Sequence, residues 1–198
     1  YRPNEYFRHQ GIDQEFRAAL KWKPIPALTI SPSLYAQRVD ARDISAFNLE
    51  LPPYQAQKQV REPSKDTLLS PSLNVNWDLG KADLTSTSSY FERTFDRTQN
   101  GSAYNSYSLS TFLTSTDDGG SAPPALIEAV AALPSAVYLN NHVRQLSQEL
   151  RLASKPYDAS VSPWTWLGGM YFSTQHTNIV ENDPIFGVTK TFADFGFN

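Results

Sequence analysis

The chain has 198 residues, a formal charge of −3, 19% charged residues and no cysteine. Disulfide scaffolds and cysteine-ligated metals are thereby excluded, and the acidic balance argues against a nucleic-acid partner. No stretch approaches the roughly 18 apolar residues of a membrane-spanning helix, whereas strands that are polar on alternate positions could still form a membrane barrel.

From Glu15 to Lys23 the even positions Phe16, Ala18, Leu20 and Trp22 oppose Glu15, Arg17, Ala19, Lys21 and Lys23. Period-two alternation predicts a strand with one apolar and one charged face. After Pro24-Ile25-Pro26-Ala27 it resumes, with Leu28, Ile30, Leu34 and Ala36 opposed to Thr29, Ser31, Ser33, Tyr35 and Gln37. These runs predict a hairpin. A second hairpin pairs Thr67–Trp77 with Ala82–Arg97 across Asp78-Leu79-Gly80-Lys81, where Gly80 can supply a positive φ. A third pairs Val143–Ser154 with Trp164–His176 across Lys155–Pro163, and its second strand is apolar on both faces, which leaves the register open.

The connections Asp40–Asp66 and Thr98–His142 are long and rich in Pro, Asn, Ser, Asp and Gly. Short turns at one end and long loops at the other are the asymmetry of bacterial outer-membrane barrels. Trp22, Trp77, Trp164 and Trp166 all border short turns, where a membrane-interface belt would lie. A second cluster, Tyr35, Tyr90, Phe91, Phe95, Tyr171 and Phe172, is expected as the opposite girdle. Within the longer loop, residues 123–133 predict one short helix, opened by Pro124, stopped by Pro134 and marked on one face by Leu126, Ile127, Val130 and Leu133.

Tyr104, Tyr107 and Tyr138, with Arg93 and Arg97 at the loop base, are the candidate substrate contacts, because aromatic and arginine groups hold anionic ligands by stacking and paired hydrogen bonds. Arg17, Lys21, Glu149 and Arg151 fall on polar strand faces, where they would point into a lumen. His9, His142 and His176 are too scattered to assemble a metal site, and Asp117-Asp118-Gly119-Gly120 lacks the alternating acidic ligands of a calcium loop. No metal and no cofactor is expected. Nor does a nucleophile with a base in reach appear, so the chain is not expected to be an enzyme.

Gln145-Leu146-Ser147-Gln148-Glu149-Leu150-Arg151-Leu152-Ala153-Ser154, with the following Trp164-Thr165-Trp166-Leu167-Gly168-Gly169-Met170-Tyr171-Phe172, resembles the barrel of TonB-dependent outer-membrane receptors. Asn76 to Tyr90 is similar to an earlier hairpin of the same barrels. The resemblance implies a wall of about 22 strands around a plug. It also implies active import of a scarce nutrient, such as a ferric siderophore, across the bacterial outer membrane. Neither a plug nor a TonB-contact motif is found in these residues, so TonB would be engaged by a region elsewhere. Tyr1-Arg2-Pro3-Asn4-Glu5 and Phe195-Gly196-Phe197-Asn198 read as the interior of a longer polypeptide.

The expected fold is all-β: an antiparallel meander of about six long strands, with residues 1–198 forming part of a transmembrane barrel wall and its outer strands unpaired. Phe16, Leu20, Leu28, Ile30, Leu34, Leu69, Leu73, Val75, Leu146, Leu150 and Leu152 are expected on the convex side facing lipid, and Arg17, Lys21, Ser72, Asn74, Glu149 and Arg151 on the concave side. The rival is a soluble β-sandwich binding module that buries the apolar face in a core. An outer-membrane barrel hydrolase is a second rival, without a visible reactive group.

Overall fold

The computed structural model describes residues 5–6, 11–44, 49, 55–56, 58–114, 122–156 and 164–197. His9, the Asp117–Gly120 turn and part of the Lys155–Pro163 connection lie outside them. Seven antiparallel strands form one sheet: β2 (Gly11–Ala19), β3 (Trp22–Ile25), β4 (Leu28–Ala41), β6 (Ser64–Asp78), β7 (Ala82–Asn100), β8 (Ala136–Ser154) and β9 (Leu167–Asn182). Both β2 and β3 pair with β4, and the sheet then follows chain order to β9, a meander with no crossover. A separate ribbon joins β1 (Glu5–Tyr6) to β5 (Gln55–Ala56). Among the described residues β2 and β9 are the outermost strands, each paired on one side.

The predicted first strand is interrupted after Ala19, and the register shifts between Trp22 and Ile25, where Pro24 has no N–H to donate to the ladder. Its turn is correspondingly tighter than expected, confined to Pro26-Ala27. Pro71 has a similar effect inside β6: the pairing with β7 runs to Leu69↔Glu92 and resumes at Ser72↔Ser89. The β6–β7 turn is held by Asp78, whose carboxylate accepts the Gly80 N–H at 2.7 Å while Gly80 takes φ 83°.

Strands reach further toward the loops than alternation indicated. β7 and β8 are 19 residues each, so the predicted Thr98–His142 loop shrinks to residues 101–135. Polar and charged residues on both faces hid these extensions, because a strand that is solvated on both sides has no apolar period. The open register of the last strand resolves as Leu146↔Thr174 and Leu150↔Met170, with Trp164 and Thr165 preceding the strand.

Cross-strand partners share a face, so the register assigns every side chain. Trp22↔Ile30↔Val75↔Ser86↔Leu150↔Met170 is one row, and Leu28↔Trp77↔Leu84↔Leu152↔Gly168 the next. Phe16, Ala18 and Leu34 fall on the same side, as do Leu69, Leu73 and Leu146; Leu20, whose N–H donates to Pro32 O at 3.0 Å, continues it. The apolar set therefore occupies one face, as expected. The opposite face is polar: Ser33 and Ser72 share a 2.7 Å hydrogen bond, Thr87 donates to Asn74 at 2.7 Å, and Ser89 bonds Ser147 at 2.5 Å. On the four interior strands Leu69, Leu73, Trp77 and Leu146 of the apolar face are exposed, while Leu28, Ile30, Leu34, Val75, Leu150 and Leu152 are half-buried, as are Ser72, Asn74 and Ser147 of the polar face.

The expected second girdle is corrected by the same bookkeeping. Tyr90 and Phe172 lie on the apolar face, whereas Tyr35, Phe91, Phe95 and Tyr171 lie on the polar one. Their distance from the turns had suggested a common belt, but the face is set by position parity, and these four have the other parity.

The long connections fold into a cap at the loop end. It contains a π-helical turn (Ser102–Ser106), α1 (Tyr107–Phe112), α2 (Pro124–Ala131) and α3 (Val188–Asp194), of which only α2 was expected. α2 buries Leu126 and Val130 completely beside Ala136, and these three are the fully buried apolar residues among those described. The surrounding serines are buried with their hydrogen bonds satisfied: Ser106 Oγ donates to Leu133 O at 2.7 Å, and Ser135 N–H to Ser102 Oγ at 2.9 Å. The segment after β9 closes the cap, Phe186 N–H donating to Pro134 O at 2.8 Å. The β4–β6 connection is tied in by Glu62, which accepts the Asn100 N–H at 3.0 Å and pairs with Lys58 at 3.0 Å, and by Gln59, which donates to Ala132 O at 3.3 Å.

Candidate functional site

An open trough of about 1020 Å³ crosses the loop end of the sheet and is lined by residues from β2, β4, β6, β7, β8 and β9. Its floor is one continuous row of cross-strand partners, Ile12↔Asp40↔Lys65↔Asp96↔Asn140↔Val180. Counting along each strand in steps of two carries this row to Phe16, Ala36 and Leu69, so the trough opens on the apolar face. The hollow lies at the loop end, beyond the residues expected on the convex side.

Charge in the trough is unevenly compensated. Arg38, one step below, holds Asp40 through Nε at 2.8 Å and a second nitrogen at 2.7 Å, and Asp96 accepts the Asn140 amide. Lys65 stands between its cross-strand neighbours Asp40 and Asp96 on this face, and Tyr138 also lines the trough, exposed; Arg97 borders it from a strand position of the opposite parity. Apolar side chains close the two ends, Ile12 from β2 and Val180 from β9.

The five expected substrate contacts separate. Arg97 and Tyr138 both border the trough, Tyr138 on β8 and not in a loop, but Arg97 pairs with Leu139 and has the parity of Arg93, so the two side chains fall on opposite faces. Arg93 does not join them. It faces the polar side, where Nε and a terminal nitrogen grip both Asp66 oxygens at 2.9 and 2.5 Å and the guanidinium sits 5.3 Å from the Phe95 ring centre. Tyr104 and Tyr107 belong to the helical cap, both largely exposed, and do not line the trough. Sequence reasoning missed Lys65, Asp96 and Asn140. Their signal was the extension of β6, β7 and β8 past the apolar band, which puts polar residues on the parity that leucines occupy lower down.

The lumen candidates all fall on the polar face. Arg17 pairs with Glu15 at 2.6 Å and lies 4.8 Å over the Tyr35 ring, Glu149 pairs with Arg151, and Lys21 continues the alternation between Ala19↔Ser33 and Trp22↔Ile30. Of the tryptophans, Trp22 and Trp77 are on the apolar face; Trp166 joins them, since its carbonyl accepts the Ser154 N–H at 2.8 Å and prolongs the β8–β9 ladder. Trp164 lies outside the ladder, exposed.

On the apolar side, above the leucines, Glu92 gathers three partners: His142 Nε2 at 2.9 Å, Arg144 Nε at 3.1 Å and the Tyr90 hydroxyl at 2.9 Å. His142 is thus hydrogen-bonded to Glu92, which also pairs with Arg144, and His176 stands opposite Arg144 on β9. No group of three or more metal-ligating side chains converges among the described residues.

No protein-family model matches the sequence, and no curated protein matches it.

Proposed function

We propose that this chain is part of the wall and loop cap of an outer-membrane β-barrel of the TonB-dependent receptor type, importing a scarce nutrient such as a ferric siderophore, with TonB engaged by a plug region outside these residues. The observation that carries the reading is the apolar sheet face. It is contiguous, its side chains are half-buried to exposed and none is fully buried, and no second layer covers it among the described residues, where the core amounts to Leu126, Val130 and Ala136. A face of that extent is unstable in water and needs lipid or another protein against it.

Dimensions favour lipid. On β6 the apolar positions run from Trp77 to Leu69, about 26 Å along the strand and roughly 20 Å across a bilayer at a tilt of about 40°, close to the ~25 Å band of such barrels. Trp22, Trp77 and Trp166 mark its turn end, as an interfacial girdle requires. In the middle of the band stands Gln148, whose amide donates to Ser86 at 2.9 Å and accepts from Ser88 at 2.5 Å. Polar groups that satisfy one another are the tolerable form in hydrocarbon.

Membranes from cells expressing the protein, washed in urea, test this reading: a barrel wall stays with the membrane, whereas a β-sandwich module is released. Ligand capture is tested by whole-cell binding of ferric chelates with and without a collapsed proton gradient, import but not binding being expected to require the gradient.

A further inference from the structure

We infer that the loop-end trough binds a neutral sugar chain laid along the row Asp40, Lys65, Asp96 and Asn140, with Tyr138 as its aromatic platform. This site is separate from the function proposed above. Its row has the parity of Phe16, Leu69 and Leu146, opposite to the polar face on which that reading puts the import path.

The charge pattern disfavours an ion. Lys65 stands between Asp40 and Asp96 on neighbouring strands, about 4.8 Å to either side, and Arg38 holds Asp40 from one step below. The formal charges of these four cancel, so the row offers a free anion or cation no net field. Arg42, just past the end of β4, already has a partner. Hydrogen-bonding capacity nevertheless remains open. Asp96 Oδ1 accepts the Asn140 amide, which leaves its second oxygen and the Asn140 carbonyl. Lys65 has no ion-pair or hydrogen-bond partner among the described residues. Acceptor, donor and acceptor thus alternate across the trough at the strand spacing. A hydroxyl both donates and accepts, and a ligand with several of them satisfies such a series without bringing charge.

A pyranose also has an apolar C–H face that lies flat on an aromatic ring. Tyr138, two residues before Asn140 on the same face of β8, is 43% exposed and supplies one. The row crosses six strands, about 24 Å, and sugar rings advance along a chain by a step close to the strand spacing. Successive rings can therefore meet successive strands. Ile12 and Val180, both exposed, give the two ends apolar shoulders.

The test is an array of neutral and acidic oligosaccharides probed with the full-length protein in a detergent that has no sugar headgroup. Calorimetric titration with the neutral oligosaccharide retained best then compares variants that keep the parent melting temperature. Neutral chains should be retained above acidic ones of equal length. Tyr138→Ala and Asp96→Ala should each weaken binding roughly tenfold, through the lost ring contact and the lost acceptor. Asp96→Asn, which keeps an acceptor oxygen, should weaken it only a few-fold, and Lys81→Gln, a cation in the β6–β7 turn, should leave it unchanged. An array that retains no neutral sugar overturns the site, as does binding that neither Tyr138→Ala nor Asp96→Ala alters. Preference for acidic chains, strengthened by Asp96→Asn, overturns the neutral class. An alkyl glycoside of the same sugar that binds more tightly than the free chain supports the site and assigns the sugar to a membrane glycolipid. Release of the protein from membranes by urea would remove the membrane reading and leave the sugar site standing, so the two failures are distinguishable.

Discussion

Gln148 occupies a position where its neighbours Leu146, Leu150 and Leu152 set the character of the face, and it is accommodated because two serines of β7 complete its amide. Replacing the serines should therefore cost more than replacing the glutamine. Ser86→Ala/Ser88→Ala leaves the amide oxygen without its donor and the amide nitrogen with Glu149 O alone, at 3.1 Å, and should destabilise by about 1–3 kcal/mol, while Gln148→Leu removes donor and acceptor together and should be close to neutral. Guanidinium unfolding of vesicle-reconstituted protein reads the difference; equal losses would mean that water reaches Gln148 and that this part of the face is not in lipid. At Gly80 only the backbone is at stake: φ is 83° and nothing lies within 4 Å of where a Cβ would stand. Gly80→Ala should cost on the order of 1 kcal/mol through strain alone.

At the scale of elements, the turn end is clasped by Lys155, which reaches from the β8–β9 connection to Asp78 at 2.8 Å and to Asp83, on either side of the β6–β7 turn. The hydrogen bond to Asp78, then that to Asp83, raises the Lys155 pKa above the ordinary lysine value. A cation whose folded pKa is raised contributes stability that is complete below its unfolded pKa and is lost as pH rises through the folded one. The clasp should therefore be intact at neutral pH and weaken in the alkaline range. Lys155→Met should flatten the fall in melting temperature between about pH 9 and about pH 12, with a small effect because the group is solvated.

The cap is the other element with a defined energy source. Leu126→Ala removes a fully buried side chain from its small core and should open the cap to protease, at a cost of about 2–4 kcal/mol, while the sheet persists. Deleting residues 121–135 would remove that same core together with the Ser135 hydrogen bonds, so any loss of ligand binding would report collapse of the cap. Tyr104→Ala/Tyr107→Ala is the cleaner probe, since both rings are exposed. Whole-cell binding that survives this double change would remove the cap tyrosines from ligand capture. α2 was legible because Pro124, a periodic apolar face and Pro134 mark it. α1 and α3 were not, because the first is only six residues long and has no proline marking its ends, and the second buries no side chain.

The whole-molecule property most legible in the sequence was the division into faces. It follows from a period of two, and a slip of one residue would have exchanged every leucine for a polar neighbour. Curvature was not legible, because twist is a property of the whole sheet and no residue encodes the hollow at the loop end. Nor was the composition of the trough, since its residues come from six strands and meet only through the register. Single cysteines now offer a test of the whole arrangement, the chain having none of its own. Ile30, Leu73 and Leu150 share one face across three strands, and Ser31, Asn74 and Glu149 share the other. If the apolar face lies in hydrocarbon, cysteines at the first three should resist a charged, water-borne maleimide in vesicle-inserted protein and react after detergent extraction. Those at the second three should react in vesicles, because a barrel lumen is polar and wet. Protection of the second set and reaction of the first would place the polar face against a partner and the leucines in water, which no barrel wall can do. Protection of both would indicate a packed soluble assembly, with the apolar face buried against another sheet.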